Sequence, residues 1–230
     1  MSKLKIVLMR HGESKWNKLN QFTGWQDIKL SKYGEEEAYL AAKKIFQKKF
    51  FFDIAYTSVL KRAIHTLWII LKFINHSWIP IKKKWQLNER HYGSLEGLNK
   101  TETIKKYGIE KVQLWRRSFT ILPPFLKKTD LRHPHYDRKY NFLKPEELPS
   151  SESLEITLQR VIKCWKNSIF PNFKKNKKIL IIAHGNSLRA LIKYLSNMTS
   201  EQVINLNIPT GKPIIYEFSN KFIPEKYYYL

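Results

Sequence analysis

At 230 residues, with 43% hydrophobic and 14% aromatic content, the chain has the composition of a packed globular protein and not of a disordered one. It is long enough to bury about 70% of its unfolded surface without disulfide or metal staples, and its single cysteine, Cys164, excludes an intrachain disulfide. A formal net charge of +23 invites a nucleic-acid or anionic-membrane role, but the lysines run along the whole chain, from Lys43-Lys44 to Lys177-Lys178, as solvated faces do. The expected partner is a small acidic molecule, with no nucleic acid and no membrane. No stretch approaches the ~20 apolar residues of a membrane span. Met1-Ser2-Lys3-Leu4-Lys5 leads directly into a strand with no small-residue cleavage site, so a cytoplasmic protein is expected, with Cys164 a buried, inert thiol.

In chain order, Lys5 to Met9 is an apolar run suited to a strand buried on both faces. Ser31 is an N-cap for a helix to about Lys48, with Ala38, Ala41, Ala42 and Ile45 on one face. Asp53 to Thr57 predicts a second strand, and a helix follows from near Ser58 to about Ile74. Pro80-Ile81 opens a weaker third strand. Thr101 to Tyr107 and Lys111 to Phe119 predict helices. From Pro123 to Pro149 turn formers and charges replace periodicity, and a connection of that length suits a lid or binding loop. Ser153 caps a helix through Leu154, Leu158, Val161, Ile162 and Trp165. Ile179 to Ala183 is a strand, Asn186 to Leu195 a helix, and Ile214 to Phe218 a last strand. The alternation predicts one α/β domain over 1–230 with an insertion at about 99–150.

Two of these strands end alike. The first runs into Arg10-His11-Gly12-Glu13-Ser14 and the later one into His184-Gly185-Asn186-Ser187. In an open α/β sheet the carboxyl ends of strands border the ligand crevice. A neutral imidazole is a competent nucleophile at pH 7, so His11 suits covalent phosphoryl transfer. Arg10 offers a fork of donors matched to phosphate oxygens, Gly12 permits close backbone approach, and Ser14 and Asn17 add short polar donors. The helix expected after His184-Gly185 favours an anion at its start. Arg62 falls in the first turns of the helix after the second strand.

Together with Phe22-Thr23-Gly24-Trp25, Leu87-Asn88-Glu89-Arg90-His91-Tyr92-Gly93, Gly97-Leu98-Asn99-Lys100, Trp115-Arg116-Arg117, Ser187-Leu188-Arg189-Ala190 and Asn207-Ile208-Pro209-Thr210-Gly211, these elements carry a resemblance over nearly the whole chain. The sequence resembles the histidine phosphatase superfamily and, within it, the cofactor-dependent phosphoglycerate mutases. The resemblance implies a three-layer sandwich with a mostly parallel central sheet and an irregular insertion near the active site. It implies that His11 is the phosphorylated nucleophile, with Arg10, Arg62 and His184 around the transferring group and Glu89 as general acid and base. Gly12, Glu13, Ser14, Asn17, Thr23, Gly24, Arg90, His91, Tyr92, Lys100, Arg116, Arg117, Gly185 and Asn186 would bind substrate. It further implies interconversion of 3- and 2-phosphoglycerate, 2,3-bisphosphoglycerate as phosphoryl primer, and a homodimer or homotetramer; no Asp/His/Cys cluster has ligand spacing, so no metal is expected.

Rival expectations are a phosphatase of the same superfamily, which does not need Arg116-Arg117, and a bisphosphoglycerate mutase, against which Ser14 and Thr23-Gly24 speak. A nucleic-acid-binding module is the rival from another class. His133-Pro134-His135, in the insertion, is expected to be a solvated loop. Family members usually continue past the final strand into a tail that helps cover the site. This sequence stops at Tyr227-Tyr228-Tyr229-Leu230, which predicts freer water entry and faster hydrolysis of a phosphoenzyme.

Overall fold

The computed structural model describes residues 4–230; the first three residues of the N-terminal stretch read above lie outside it. Four strands supply the centre: β1 (Leu4–Arg10), β2 (Ile54–Thr57), β3 (Ile81–Lys83) and β4 (Ile179–Ala183). β4 pairs in parallel with β1 and β2, and β2 with β3. Two further strands, β5 (Pro213–Phe218) and β6 (Pro224–Tyr229), add an antiparallel hairpin on the β1 side, giving the order β3-β2-β4-β1-β5-β6. β6 has no counterpart in the sequence expectation, because it carries Glu225 and Lys226 and its apolar signal is only a run of tyrosines. Its pairing with β5 makes it a strand.

The period-2 alternation of the central strands splits the core into two. Ile6, Leu8, Ile54, Tyr56, Ile179, Ile181 and Ile214 face one side, where Leu154 and Val161 of α6 (Leu154–Cys164) and Leu188 and Leu191 of α8 (Gly185–Leu195) cover them. Val7, Met9, Ala55, Leu180, Ile182 and Ile215 face the other, against Ala41, Ala42 and Ile45 of α2 (Lys32–Gln47) and Leu67, Ile70 and Leu71 of α3 (Lys61–Phe73). Each fully buried Leu or Ile contributes about 1.5–3 kcal/mol relative to exposure. The result is a three-layer α/β sandwich with a mostly parallel sheet.

Local chemistry sets the boundaries. Ser31 Oγ accepts from Gly34 N and starts α2; Ser153 Oγ accepts from Ile156 N and starts α6. α3 begins three residues later than expected, since Ser58 Oγ accepts from Leu60 N and holds the chain in a turn there. The helix expected through Trp165 widens into a π turn at Trp165–Ile169 before α7 (Phe170–Lys174). Helices α4 (Lys100–Tyr107) and α5 (Ile109–Arg117) are joined at Gly108, whose φ is +84°. Two short helices, α1 (Lys15–Lys18) and α9 (Ser200–Asn205), were too brief to show in the sequence pattern. No helix among the described residues is long and apolar enough to cross a membrane.

Candidate active site

The ends of β1 and β4 meet at the head of the sheet, where Arg10 is in register with Ala183 and His11 N donates to the Ala183 carbonyl. This brings the His11 and His184 rings edge to face, with centroids 4.8 Å apart. Beside them opens a cavity lined by Arg10, His11, Asn17, Thr23, Gly24, Arg62, Glu89, Tyr92, Lys100, Arg116, Arg117, Gly185 and Asn186 from the sequence-predicted set. Gln21, Phe22, Arg189, Asn207 and Ile208 also line it. Six of the lining side chains are cationic and one, Glu89, is acidic. Such a basin selects a compact polyanion.

His11 is buried, and its Nδ1 lies 2.6 Å from the Gly12 carbonyl. A carbonyl only accepts, so Nδ1 carries the proton and Nε2 is left with a lone pair. Arg62 Nε donates to that nitrogen at 3.2 Å. Burial first, then the guanidinium charges of Arg62 and Arg10, hold His11 well below the ordinary imidazole value. It is neutral at pH 7. Arg62 is fully buried despite its place in the first turn of α3, and it also donates to the Gly24 and Gln26 carbonyls at 2.8 Å. Burial lowers its own pKa to about 10, still charged at pH 7.

His184 is held differently. Its Nε2 is 2.7 Å from Ser58 Oγ, and it too is kept well below the ordinary value by burial, then by Arg62 and His11. The start of α8 does receive an anion, but from the protein itself: Asn186 N donates to Glu89 Oε1 at 3.0 Å, and Arg90 N to the same oxygen at 2.8 Å. Glu89 Oε2 takes no hydrogen bond among the described residues, on a side chain that lines the cavity.

The far wall comes from the insertion side. Phe22, Leu95, Val112 and Trp115 form a small core that ties α5 to the Phe22–Gly24 loop. That contact delivers Arg116 and Arg117 from the last turn of α5, with Lys100 from the start of α4. Burial lowers the pKa of Arg116 and of Lys100. Gly24 has φ +52°, and a Cβ there would lie 1.8 Å from Glu96 Oε1, so only glycine fits this turn.

Five predicted binding residues stand behind the lining. Gly12 serves packing within the protein, as a Cβ on it would meet the Gly34 carbonyl oxygen at 2.0 Å. Glu13 accepts from Ser31 Oγ and its N–H donates to Glu37. Ser14 caps α1, and its N–H and Oγ both bond Asn17 Oδ1, which leaves the Asn17 amide NH₂ for the cavity. Arg90 is fully buried, donating to Tyr92 OH and the Arg116 carbonyl. His91 is also buried, its Nδ1 accepting from Gly93 N. His133 is not solvated as expected: it is buried, its Nε2 3.1 Å from Ser150 Oγ and its Nδ1 2.8 Å from His135 Nδ1. Among the additions, Phe22, Arg189, Asn207 and Ile208 sit inside matched motifs, and Arg189 lies one turn beyond Gly185. Gln21 carried no signal.

A family model described as histidine phosphatase superfamily (branch 1) matches residues 6–129 and 126–223. Among solved structures, a mycobacterial glucosyl-3-phosphoglycerate phosphatase superposes with a TM-score of 0.72 at 17% identity, covering 98% of this chain and 96% of its own. The alpha-ribazole phosphatase of Shigella flexneri gives 0.70 at 21%, covering 96% and 94%. These likenesses show the fold. A curated protein of Buchnera aphidicola subsp. Cinara cedri (strain Cc), named 2,3-bisphosphoglycerate-dependent phosphoglycerate mutase, is 65% identical over the full length of both chains. A second of that name, from the subspecies Baizongia pistaciae (strain Bp), is 59% identical over 100% of this chain and 99% of its own. The chain belongs to the histidine phosphatase superfamily and, within it, to the 2,3-bisphosphoglycerate-dependent phosphoglycerate mutases.

Proposed function

We propose that this basin interconverts 3- and 2-phosphoglycerate through a phosphohistidine at His11. The observation that carries the residue assignment is the protonation geometry of that imidazole. Nδ1–H is committed to the Gly12 carbonyl, so the nucleophilic lone pair is Nε2, among Arg62, Arg10 and the second imidazole. Attack by Nε2 forms an N–P bond as the P–O bond to the leaving oxygen breaks, and charge on the transferring group is met by the fixed guanidinium donors. Glu89, clamped through Oε1, presents Oε2 to move the proton. It takes the proton of the substrate hydroxyl as His11 gives up its phosphoryl group. It returns that proton to the leaving oxygen when the other phosphoryl group moves back to His11.

The cations lining the cavity suit 2,3-bisphosphoglycerate, and the buried Arg10 Nε and Arg189 Nε have no partner among the described residues. Arg10, Arg62 and His184 would hold one phosphate, and Lys100, Arg116 and Arg117 the opposite end. When bound, the bisphosphate supplies the phosphoryl group that loads His11 before the first turnover. The cytoplasmic homodimer or homotetramer implied by the resemblance belongs to the same proposal.

The test is incubation with labelled bisphosphate beside a coupled assay of 3-phosphoglycerate conversion, run with chelator. The expected outcome is an acid-labile, alkali-stable adduct on His11 and turnover that needs no added metal. Full turnover with no label on His11 would overturn the assignment.

A further inference from the structure

The segment that carries Glu89 has no regular ladder to stiffen it. Gln86 to His91 leaves a 3₁₀ turn at Trp85–Leu87 and runs as irregular chain into the site. A backbone of this kind needs partners for its carbonyls, and one guanidinium supplies three of them. From α6, Arg160 Nη1 donates to the Gln86 and Asn88 carbonyls at 2.7 and 2.9 Å, and Nη2 to the Glu89 carbonyl at 2.9 Å. The remaining donors form a fork with one carboxylate: Nε to Glu152 Oε1 at 2.7 Å and Nη2 to Glu152 Oε2 at 2.8 Å. An arginine has five N–H donors, and all five are used.

Glu152 closes the frame from the other side. Its Oε2 accepts from His91 N at 2.8 Å, and its own N–H donates to the His91 carbonyl at 2.9 Å. Glu152 and Arg160 are both buried, and neither lines the cavity. The residues before and after Glu89 are therefore fixed by one ion pair, while the carboxylate itself is fixed through Oε1.

We infer that Arg160 and Glu152 are positioning residues for Glu89, holding its main chain so that the free carboxylate oxygen meets the substrate's bridging or hydroxyl oxygen. The inference rests on Glu89 being the proton-transfer group. A misplacement of about 1 Å at such a group costs ~10²-fold. Lysine cannot replace the arginine, because a single ammonium with three donors cannot reach three carbonyls and both carboxylate oxygens at once.

The test compares Arg160→Lys, Glu152→Gln and Glu89→Gln with two phosphoryl donors. Phosphoglycerate turnover needs a proton moved at oxygen; His11 phosphorylation by p-nitrophenyl phosphate, whose leaving phenolate needs none, is followed by stopped flow. Arg160→Lys is expected to lower kcat for phosphoglycerate by about 30-fold or more. KM should change by less than about threefold and the p-nitrophenyl phosphate rate by at least tenfold less than kcat. Glu152→Gln should show the same selectivity, which keeps the test open if one variant does not fold. Equal losses on both donors, or no loss beside a large one in Glu89→Gln, would overturn the positioning role. If Glu89→Gln itself turns over phosphoglycerate normally, the proton-transfer assignment fails instead.

Discussion

The two strand ends that look alike in sequence behave differently in the folded molecule. His11 and His184 each close a buried strand, precede a glycine and are held neutral by burial beside Arg62. His11, however, spends Nδ1 on a main-chain carbonyl and leaves Nε2 to accept from Arg62 Nε, whereas His184 spends Nε2 on Ser58 Oγ. The nitrogen left over decides the part each ring plays. On the proposed function, two copies of one motif thus serve as nucleophile and supporting group, separated by the partner each ring happens to meet.

The largest effect that sharpens this contrast is on covalent labelling. His11→Ala should lose both the phosphoenzyme and turnover, by a factor of about 10⁴ or more, as removal of a nucleophile does. His184→Ala should still be labelled at His11, with transfer slowed about 10²–10³-fold by loss of a fixed polar group at the developing charge. Label retained in the first variant and lost in the second would reverse the two roles.

A smaller effect comes from the hydroxyl that distinguishes them. Ser58→Ala frees His184 Nε2 without touching His11, so single-turnover transfer should slow by about tenfold or less, while the labelled site stays the same. An unchanged rate would mean that Ser58 does not set the ring's orientation.

The smallest effect is on stability against pH. Both folded imidazoles have values well below the ~6.5 of an unfolded chain, so the unfolded state binds more protons in the interval between. Their contribution is fully present above about pH 6.5 and is lost as pH falls through the folded values. The urea midpoint should therefore decline from pH 7 to pH 5, and less steeply in the double His11→Ala, His184→Ala variant. Parallel declines in the two proteins would show that other groups carry the acid sensitivity.

Strand and helix placement was largely legible because it depends on local terms. Buried runs such as Ile179–Ala183, caps such as Ser31 and Ser153, and the 3.6-residue spacing of α2 need no knowledge of the rest of the chain. β6 was not legible, since its tyrosines become a strand only when β5 offers an edge. The site was legible as a set of residue types in matched motifs, including Arg62, whose position alone reads as an exposed helix arginine.

Which of those residues face the cavity was decided by tertiary contact. Gly12 packs on Gly34, Ser14 caps a helix, and Arg90 lies beneath Tyr92. Arg160 and Glu152, which no motif marks, hold the segment bearing Glu89. By itself the sequence determined the central strands, the longer helices and the chemical inventory at the strand ends, because periodicity, capping and residue type are local. Only the folded structure decided which partner each histidine nitrogen meets and which side chains reach the basin, because most of those partners and the burial come from residues distant in the chain.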